Sequence, residues 1–412
     1  MKKYDLVVVG GGISGVSAAV AAARQGLQVL LIEKIGALGG AMSYSLVYPF
    51  MNCRLANGKY LCGGIFQEMA ERKKAYETSW EYFKLVFDDM VEEAGVDVLF
   101  HSTVFAVVTQ GRQLKSVKVA TKLGEMEIQA DFFIDTTGDG EVFALAGCDF
   151  QLGRETDNYC QPMTTCFRVA GVDVAKLKEE RSNLQLIYQQ ARAEGRITNP
   201  REDILFFYGP GEAGLVHFNT TRVIKLDPTD PFAISQAEVA ARKQVYEMMC
   251  FLRENSMACK NMSLASIANH IGVRESRKLK GVHILTAEEL KACTIFEDAI
   301  ALGNYDIDIH NPTGTGTNHY YFKDNEYYSI PYSSLLPKEY DNLVVAGRCI
   351  SVTHEAQASI RVMPICSCLG QAAGIAVGEA KATGKNVHTV DIKLVQNVLM
   401  KNGAVLPMNV NE

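Results

Sequence analysis

The sequence lacks the long apolar runs of a membrane protein and the basic excess of a nucleic-acid-binding protein. No apolar stretch in its 412 residues reaches the roughly 18 residues that a membrane span needs. Its 41 lysines and arginines are outnumbered by 47 aspartates and glutamates, so the net charge is −6. This balance argues against binding to nucleic acid or to an anionic membrane surface. We therefore expect no nucleic-acid partner and no membrane span.

Closely spaced cysteines are also missing. The eleven cysteines are scattered, and none forms Cys-x-x-Cys or the quartet of an iron–sulfur site. This pattern predicts buried thiols in a reducing compartment, hence a cytoplasmic protein, and it predicts no metal site. Lys2 and Lys3 precede an apolar strand, as in a secretory signal, but cleavage there would destroy the glycine motif that follows.

What the sequence does have is a β-α-β unit at its start. An alternating apolar strand at 4–9 is followed by a small-residue helix at 16–25 and by a second strand at 27–32, which ends in Glu33. Three glycines between the first strand and the helix have the spacing Gly-x-Gly-x-x-Gly: Gly10, Gly12 and Gly15. The strand, glycines, helix and terminal acid together predict a dinucleotide-binding site.

Each part of this unit has a physical role in holding a dinucleotide. Gly12 lets the backbone approach a pyrophosphate, and Gly15 lets the helix lie close on the strand. The helix N-terminus, with Ile13 and Ser14, directs unpaired N–H groups and a positive dipole end at the phosphates. The carboxylate of Glu33 accepts hydrogen bonds from ribose hydroxyls.

The residues after Glu33 indicate which dinucleotide is bound. Lys34 leads to the glycine pair Gly39-Gly40 and then to Ala41. A glycine pair soon after the ribose acid resembles the signature of FAD-binding proteins of the glutathione-reductase-like superfamily, and NAD domains usually lack it. The resemblance implies an FAD flavoprotein in which Lys34, Gly39, Gly40 and Ala41 contact the cofactor.

A second motif follows a run of short β segments between residues 96 and 128. A strand at 132–135 leads into Thr136-Thr137-Gly138-Asp139-Gly140. A three-stranded insert followed by this motif resembles the second FAD-contact motif of the same superfamily, which implies that Thr137, Gly138 and Asp139 contact the cofactor. The alternative is an ordinary Asp-Gly hairpin turn.

The middle of the chain changes character and predicts a second domain. A strand at 164–170, an amphipathic helix at 173–194 and a further helix at 236–253 predict a sheet with covering helices. Residues 209–214 match the glycine fingerprint letter for letter. However, an alternating strand follows them, and Pro210 suits a loop, so we predict no second nucleotide fold that would dock NAD(P)H.

The last stretch returns to the first domain. A buried-type strand at 342–346 is followed by Gly347 and Arg348, and a small-residue helix begins near Pro364. Starting beside the isoalloxazine, this helix would direct its positive end at flavin N1/C2=O. The predicted fold is α/β: a Rossmann-like FAD-binding domain (parallel sheet with a three-stranded β insert) at 1–150 and 335–412, plus an α+β substrate domain at 151–334.

Five stretches together resemble a broad family of FAD-dependent oxidoreductases: 10–15, 33–40, 135–140, 272–281 and 342–374. That family is distantly similar to the flavin subunits of fumarate reductase and tricarballylate dehydrogenase. In those relatives a Gly-Glu pair follows the C-terminal strand, and then come a histidine and an arginine that grips a substrate carboxylate.

This sequence has Gly347-Arg348, His354 and Arg361 at comparable positions. The departure from Glu to Arg suggests that Arg348 meets a flavin phosphate or carbonyl. The Asn-Ser-Leu usually found further on is replaced by Cys366-Ser367-Cys368, which argues against a dicarboxylate substrate. Because Cys-x-Cys on a helix points its side chains apart, packing is favoured over a redox role for these cysteines.

The candidate catalytic residues are Arg274, His354 and Arg361. Arg274 either orients an anionic or polar substrate or forms a salt bridge with Glu275 or a neighbouring acid. His354 is either a general acid/base or a hydrogen-bonded structural histidine. His319 either lines the substrate cleft or packs.

These observations predict an FAD-dependent oxidoreductase that transfers a hydride between a small organic substrate and flavin N5 at a domain interface, with an unknown electron donor or acceptor. Two alternatives stay open: an electron-transfer flavin subunit of a larger redox complex, and a protein in which FAD is structural. A flavin-dependent halogenase would need a Trp-x-Trp-x-Ile-Pro stretch, but Trp80 is the only tryptophan. A homo-oligomer is compatible with the sequence.

Overall fold

The computed structural model describes residues 3–51, 53–74, 76, 79–208 and 213–410. In chain order the strands are β1 (Tyr4–Val9), β2 (Val29–Ile32), β3 (Asp97–Leu99), β4 (Thr103–Gln110), β5 (Gln113–Thr121), β6 (Gly124–Asp135), β7 (Phe150–Leu152), β8 (Phe167–Ala170), β9 (Phe206–Phe207), β10 (Val216–Phe218), β11 (Ser263–Ile267), β12 (Arg277–Leu279), β13 (Ala299–Gly303), β14 (Ile307–His310), β15 (Thr317–Tyr320), β16 (Tyr328–Pro331) and β17 (Leu343–Val345). The helices are α1 (Ile13–Ala23), α2 (Ala41–Tyr44), α3 (Ile65–Lys73), α4 (Phe83–Glu93), α5 (Glu141–Leu145), α6 (Val174–Ala193), α7 (Pro231–Asn255), α8 (Ala287–Lys291), α9 (His354–Ile360), α10 (Met363–Thr383) and α11 (Ile392–Lys401).

A parallel sheet in the order β3-β2-β1-β6-β17 carries the nucleotide-binding end of the molecule. Val8 of β1 pairs with Leu31 of β2 on one side and with Ile134 of β6 on the other. All three side chains are fully buried, as expected for parallel strands covered on both faces. The predicted Rossmann-like sheet is confirmed, and the C-terminal strand β17 completes it.

Strand β6 belongs to two sheets. Its first half pairs with β5, which pairs with β4, and both pairings are antiparallel; its second half pairs in parallel with β1 and β17. The sequence predicted that the short β segments end at residue 128 and that a separate strand spans 132–135, but the structure has one strand of 12 residues. No glycine or proline interrupts residues 125–135, so the extended backbone continues from the insert into the parallel sheet.

Helices α1 and α10 cross in close contact, and this crossing brings two helix N-termini together. A Cβ atom on Gly370 would lie 2.0 Å from the Ser14 carbonyl oxygen, so only glycine allows this approach. The hydroxyl oxygens of Ser17 and Ser367 are 2.7 Å apart in the same contact. Helix α10 is buried along most of its length. The N-terminus of α10 therefore has a fixed position beside that of α1.

A second, antiparallel sheet in the order β11-β8-β10-β9 is covered by α6 and α7. Buried side chains between Phe167 and Met262 form a separate hydrophobic cluster there. Buried side chains between Leu285 and Leu336 instead share the cluster of α1 and α10. The division into domains at 150/151 and 334/335 stays a prediction.

Three further segments complete the fold. Helices α3 and α4 lie between Gly64 and Ala94, and Ser79 caps a short 3-10 turn ahead of α4 by accepting a hydrogen bond from the Glu81 N–H. Helix α9 was not predicted; the Thr353 side chain caps it. Residues 209–212 of the rejected glycine match lie outside the described residues, and the flanking strands β9 and β10 pair antiparallel.

Within the described ranges, no single helix is long and apolar enough to cross a membrane. Helices α9 and α10 reach the necessary length and composition only as a pair. They meet at an angle of 92°, and α10 is largely buried within the protein, which is the usual condition of a core helix.

Candidate active site

A cavity of about 750 Å³ begins at the glycine motif that follows β1. It extends to residues in the middle of the chain, from Thr164 to His319, which include the β14–β15 hairpin. Most of the residues predicted to contact the cofactor line it: Gly10, Gly12, Ile13, Ser14, Glu33, Lys34, Gly39, Gly40, Ala41, Thr137, Gly138, Asp139, Gly347 and Arg348. Of the predicted catalytic residues, Arg274 and Arg361 line it and His354 does not. The fold thus gathers sequence motifs that are more than 300 residues apart.

The glycine motif fits a bound pyrophosphate. A Cβ atom on Gly12 would meet only the Gly40 Cα, at 3.9 Å, so protein packing does not require glycine at this position. By contrast, a Cβ on Gly15 would lie 1.8 Å from the Gly10 carbonyl oxygen, so Gly15 is needed for the contact between α1 and β1. The open space beside Gly12 is the cradle that a phosphate would fill.

The N-terminus of α1 has unused hydrogen-bonding capacity. Gly12 is its N-cap and offers no side chain to the first N–H groups. Ser14 is buried and lines the cavity, and its hydroxyl has no hydrogen-bond partner among the described residues. An unpaired buried polar group is costly. A phosphate at the helix N-terminus would accept hydrogen bonds both from the first N–H groups of α1 and from the Ser14 hydroxyl.

Glu33 lies at the end of β2, where a ribose acid is expected. Its carboxylate is 2 % exposed and accepts hydrogen bonds from the N–H groups of Gly11 (2.6 Å) and Ile35 (2.9 Å). Burial raises the pKa of Glu33, and the backbone N–H groups oppose this rise. These two bonds fix the carboxylate against the glycine motif and leave lone pairs for hydroxyl donors.

Asp139 and Arg348 connect three of the predicted motifs. The Asp139 Oδ1 atom accepts hydrogen bonds from Arg348 Nη2 at 2.5 Å and from the Ser276 hydroxyl at 2.6 Å. Arg348 also donates to the carbonyl oxygen of Val273. Burial opposes ionisation of Asp139, but the charges of Arg348 and Lys34 outweigh it and lower the pKa. Arg348 thus holds Asp139 in the cavity wall through an ion pair, which the sequence did not predict.

Arg274 and Arg361 lie at the other end of the cavity. Nη1 of Arg274 donates to the Pro162 carbonyl oxygen and to the Thr164 hydroxyl, both at 2.6 Å. Arg361 pairs with Asp308 at 3.3 Å, and its buried Nε atom has no hydrogen-bond partner in the described part of the chain. Arg274 forms neither of the salt bridges considered from the sequence, because Glu275 pairs with Lys278 and His354 instead.

Sequence reasoning missed several polar residues of this end, among them Asp308 and His310. Both lie on β14, where Asp308 pairs across the hairpin with His319 of β15, and all three line the cavity. Burial and then the charge of Arg274 lower the pKa of His310, although Asp308 opposes this change. The alternation Asp306, Asp308, His310 was the available signal, since it places three polar side chains on one face of a strand.

His319 is one of three histidines that line the cavity, with His270 and His310. Its Nδ1 atom lies 2.5 Å from Asp306 Oδ2, and its Nε2 atom lies 3.7 Å from Asp308 Oδ1. Its ring stacks on Tyr321 with centroids 5.2 Å apart. Asp306, Asp308 and His319 also bring potential metal-ligand atoms within 4.8 Å of one another, although Arg361 already pairs with Asp308.

His354 lies in a buried charge network outside the cavity. Its Nδ1 atom contacts the Glu275 carboxylate at 2.7 Å, and Lys278 Nζ contacts the same carboxylate at 2.5 Å. The three side chains are at most 2 % exposed. Lys278 also donates to the Gly153 carbonyl oxygen at 2.6 Å. This position favours the structural role of His354 over the general acid/base role.

The cysteines at the start of α10 are packed as small hydrophobic residues. Cys366 and Cys368 are buried, and all eleven cysteines are free thiols. Burial raises the pKa of Cys366 to about 12, although Arg348 and Arg361 oppose the rise. A thiol that stays protonated is a poor nucleophile, so the packing interpretation is favoured.

The fold and the cavity define a Rossmann-type dinucleotide-binding protein whose cavity continues into a second polar region. The family described as FAD dependent oxidoreductase matches residues 5–399. The chain belongs to this family of FAD-dependent oxidoreductases, and this membership supports FAD as its cofactor.

Two curated archaeal proteins are similar to part of the chain. Digeranylgeranylglycerophospholipid reductase 1 of Methanococcoides burtonii is 28 % identical over 191 residues, which cover 42 % of this chain and 46 % of that protein. The corresponding reductase of Methanosarcina acetivorans is 26 % identical over 191 residues, with the same coverage of 42 % and 46 %. The similarity therefore spans less than half the length of these relatives.

Solved structures with a similar arrangement include a geranylgeranyl bacteriochlorophyll reductase-like protein of Thermoplasma acidophilum. It has 13 % sequence identity and a TM-score of 0.47 over 98 % of this chain and 85 % of its own. A flavin-dependent brominase has 12 % identity and a TM-score of 0.48 over 97 % of this chain and 83 % of its own.

Proposed function

We propose that the protein moves a hydride between a small organic substrate and flavin N5, with the substrate bound at the end of the cavity that Arg274, Arg361 and His319 line. The observation that carries this proposal is one continuous cavity that joins the cofactor motifs to these side chains. FAD supplies the two-electron redox chemistry when it is bound.

The residues of the chain hold the two reactants. The N-terminus of α1, with Gly12 and Ser14, binds the pyrophosphate, and Glu33 binds the ribose. Arg274 and Arg361 orient the substrate, because guanidinium groups form directional hydrogen bonds. The N-terminus of α10 directs its positive end into the same cavity, where it favours negative charge on the reduced flavin.

His319 moves the proton at its Nε2 atom. Asp306 accepts the hydrogen bond of Nδ1, which fixes the tautomer and leaves Nε2 to take or give a proton on the cavity side. An imidazole oriented by a carboxylate is the arrangement that general acid/base catalysis uses. His319 thus takes the role that the sequence offered to His354.

The experiment is an anaerobic titration of the FAD-loaded protein with candidate substrates, followed by the visible flavin spectrum. Bleaching of the bound flavin by one compound class supports the proposal. H319Q should slow this reduction about 100-fold or more and leave FAD affinity unchanged. An H319Q variant that reduces flavin at the parental rate would contradict the role of His319, and a flavin that no donor reduces would favour a structural role.

The choice of substrate separates this proposal from its alternatives. The similar archaeal proteins are named as reductases of a geranylgeranyl phospholipid, so such a lipid belongs in the titration. The distant similarity to fumarate reductase and tricarballylate dehydrogenase remains a prediction, and enoate acids test it. Reduction only by a partner protein would instead indicate an electron-transfer subunit.

A further inference from the structure

Three arginines line the far end of the cavity, Arg201, Arg274 and Arg361, and a fourth, Arg222, lies behind its wall against the Gly316 carbonyl oxygen. All of them except Arg274 pair with a carboxylate of the protein. Arg201 pairs with Asp203 at 2.5 Å, Arg222 with Glu202 at 3.3 Å, and Arg361 with Asp308 at 3.3 Å. Each of these positive charges therefore has its own carboxylate, and none needs a counter-ion from a ligand.

Arg274 is the exception. Its hydrogen bonds run from Nη1 to two neutral oxygens, the Pro162 carbonyl and the Thr164 hydroxyl. No carboxylate of the described residues forms an ion pair with it. Burial, followed by the charges of Arg361, Arg201 and Arg222, lowers the pKa of Arg274 to about 9. Arg274 remains charged at neutral pH. The Asp308 carboxylate acts on its charge from beyond ion-pair distance, but that carboxylate is already paired with Arg361.

The same end of the cavity has unpaired acceptors. Glu202 Oε2, Asn219 Oδ1 and Asp308 Oδ1 are buried, and within the described ranges they have no hydrogen-bond partner. All three residues line the cavity. An acceptor that is cut off from water is costly until a donor reaches it. A ligand with a hydroxyl or amino group next to its charge would supply such a donor.

Apolar side chains form another part of the wall. Tyr48, Met51, Leu205 and Phe207 line the cavity, and they offer a surface for the body of a ligand rather than for a second charge. A second anionic group would meet either this surface or guanidinium groups that already have partners. Desolvating an unpaired charge in this way is unfavourable.

We propose that the substrate is a monoanion: one carboxylate that binds Arg274, a neighbouring hydroxyl or amino donor, and an apolar body. This inference rests on the proposed function and deepens it by naming the substrate class. A guanidinium matches a carboxylate through two parallel N–H bonds, and Nη2 and Nε of Arg274 are not engaged by the described residues. A dicarboxylate and an uncharged alcohol are both poorer ligands.

The test is calorimetric titration of the FAD-loaded protein with four probes that change one feature at a time. Mandelate has the carboxylate, the hydroxyl and an apolar ring; phenylacetate lacks the hydroxyl, benzyl alcohol lacks the charge, and malate adds a second carboxylate. Mandelate should bind best, with at least tenfold weaker binding of each other probe. R274Q should weaken mandelate binding at least tenfold, and R274K should recover part of it.

A matched control is R196Q, since Arg196 is exposed and pairs with Glu194 on the surface; it should bind mandelate like the parent. The inference is overturned if neither monocarboxylate binds saturably, if malate binds more tightly than mandelate, or if R274Q binds mandelate like the parent. Failure of the proposed function would look different: no small donor would reduce the bound flavin, whatever the binding data show. The two failures can therefore be told apart.

A second measurement keeps the inference testable without a good ligand. R361Q removes the arginine that pairs with the buried Asp308 carboxylate, which keeps its contacts with Tyr305 and His310, and this loss should lower the melting temperature. R274Q removes a positive charge that has no counter-ion and keeps a side-chain donor for Thr164, so its melting temperature should equal or exceed that of the parent. Equal losses in the two variants would overturn the assignment of Arg274 as the uncompensated charge.

Discussion

Replacing Gly12 or Gly15 by alanine should separate cofactor binding from folding, although both glycines belong to one motif. In G12A the added Cβ meets only the Gly40 Cα, at 3.9 Å, and the residue has φ −65°. This backbone conformation suits alanine, and fewer unfolded conformations favour the variant by about 0.4–1 kcal/mol. We therefore expect the apoprotein to melt at or slightly above the parental temperature.

FAD binding should fall in the same variant. The new methyl group occupies the space in which the pyrophosphate approaches the backbone, and overpacking of this kind costs about 1–3 kcal/mol. That cost corresponds to a roughly 5- to 150-fold loss of affinity. Titration of apoprotein with FAD, followed by flavin fluorescence, measures the loss directly.

G15A is the matched comparison. Its Cβ would lie 1.8 Å from the Gly10 carbonyl oxygen and 2.7 Å from the Thr136 hydroxyl, so α1 must move away from β1. We expect a destabilisation of about 3 kcal/mol or more, seen as a lower melting temperature or as insoluble protein. If G12A bound FAD like the parent, or if G12A lost as much stability as G15A, the assignment of Gly12 to the pyrophosphate cradle would be wrong.

Three further predictions concern charged groups. E275Q leaves Lys278 and His354 buried without their counter-charge and should cost about 3–5 kcal/mol in urea unfolding, whereas the exposed E254Q should change little. Burial opposes ionisation of Glu275, but His354 and Lys278 lower its pKa below 4.5. The contribution of Glu275 to the free energy of unfolding is therefore present above about pH 4.5 and is lost as the pH falls. A difference in stability between the parent and E275Q that grew in acid would contradict this. R348Q should weaken FAD binding about tenfold because Asp139 loses its partner, and unchanged affinity in a fluorescence titration would remove Arg348 from the cofactor site. H319Q should slow flavin reduction while H354Q mainly lowers the melting temperature; the reverse pattern in stopped-flow and melting data would return the acid/base role to His354.

The cofactor end of the molecule could be predicted from the sequence because its signals are local. The turn, the helix N-terminus and the ribose acid follow one another within residues 4–33, and each depends on backbone geometry that neighbouring residues dictate. The same holds for the Thr137–Asp139 turn after β6.

The end of the cavity that contains Arg274 and His319 was decided by tertiary structure. Glu275 is adjacent to Arg274 in sequence, yet it pairs with Lys278 and His354, and Arg274 forms no ion pair with a carboxylate of the described residues. His354 and His319 are the same residue type, and only their positions distinguish them: one lies inside a buried network and the other lines the cavity. Such assignments depend on which charges meet across distant segments and on how deeply each is buried, and neither quantity is encoded in local spacing.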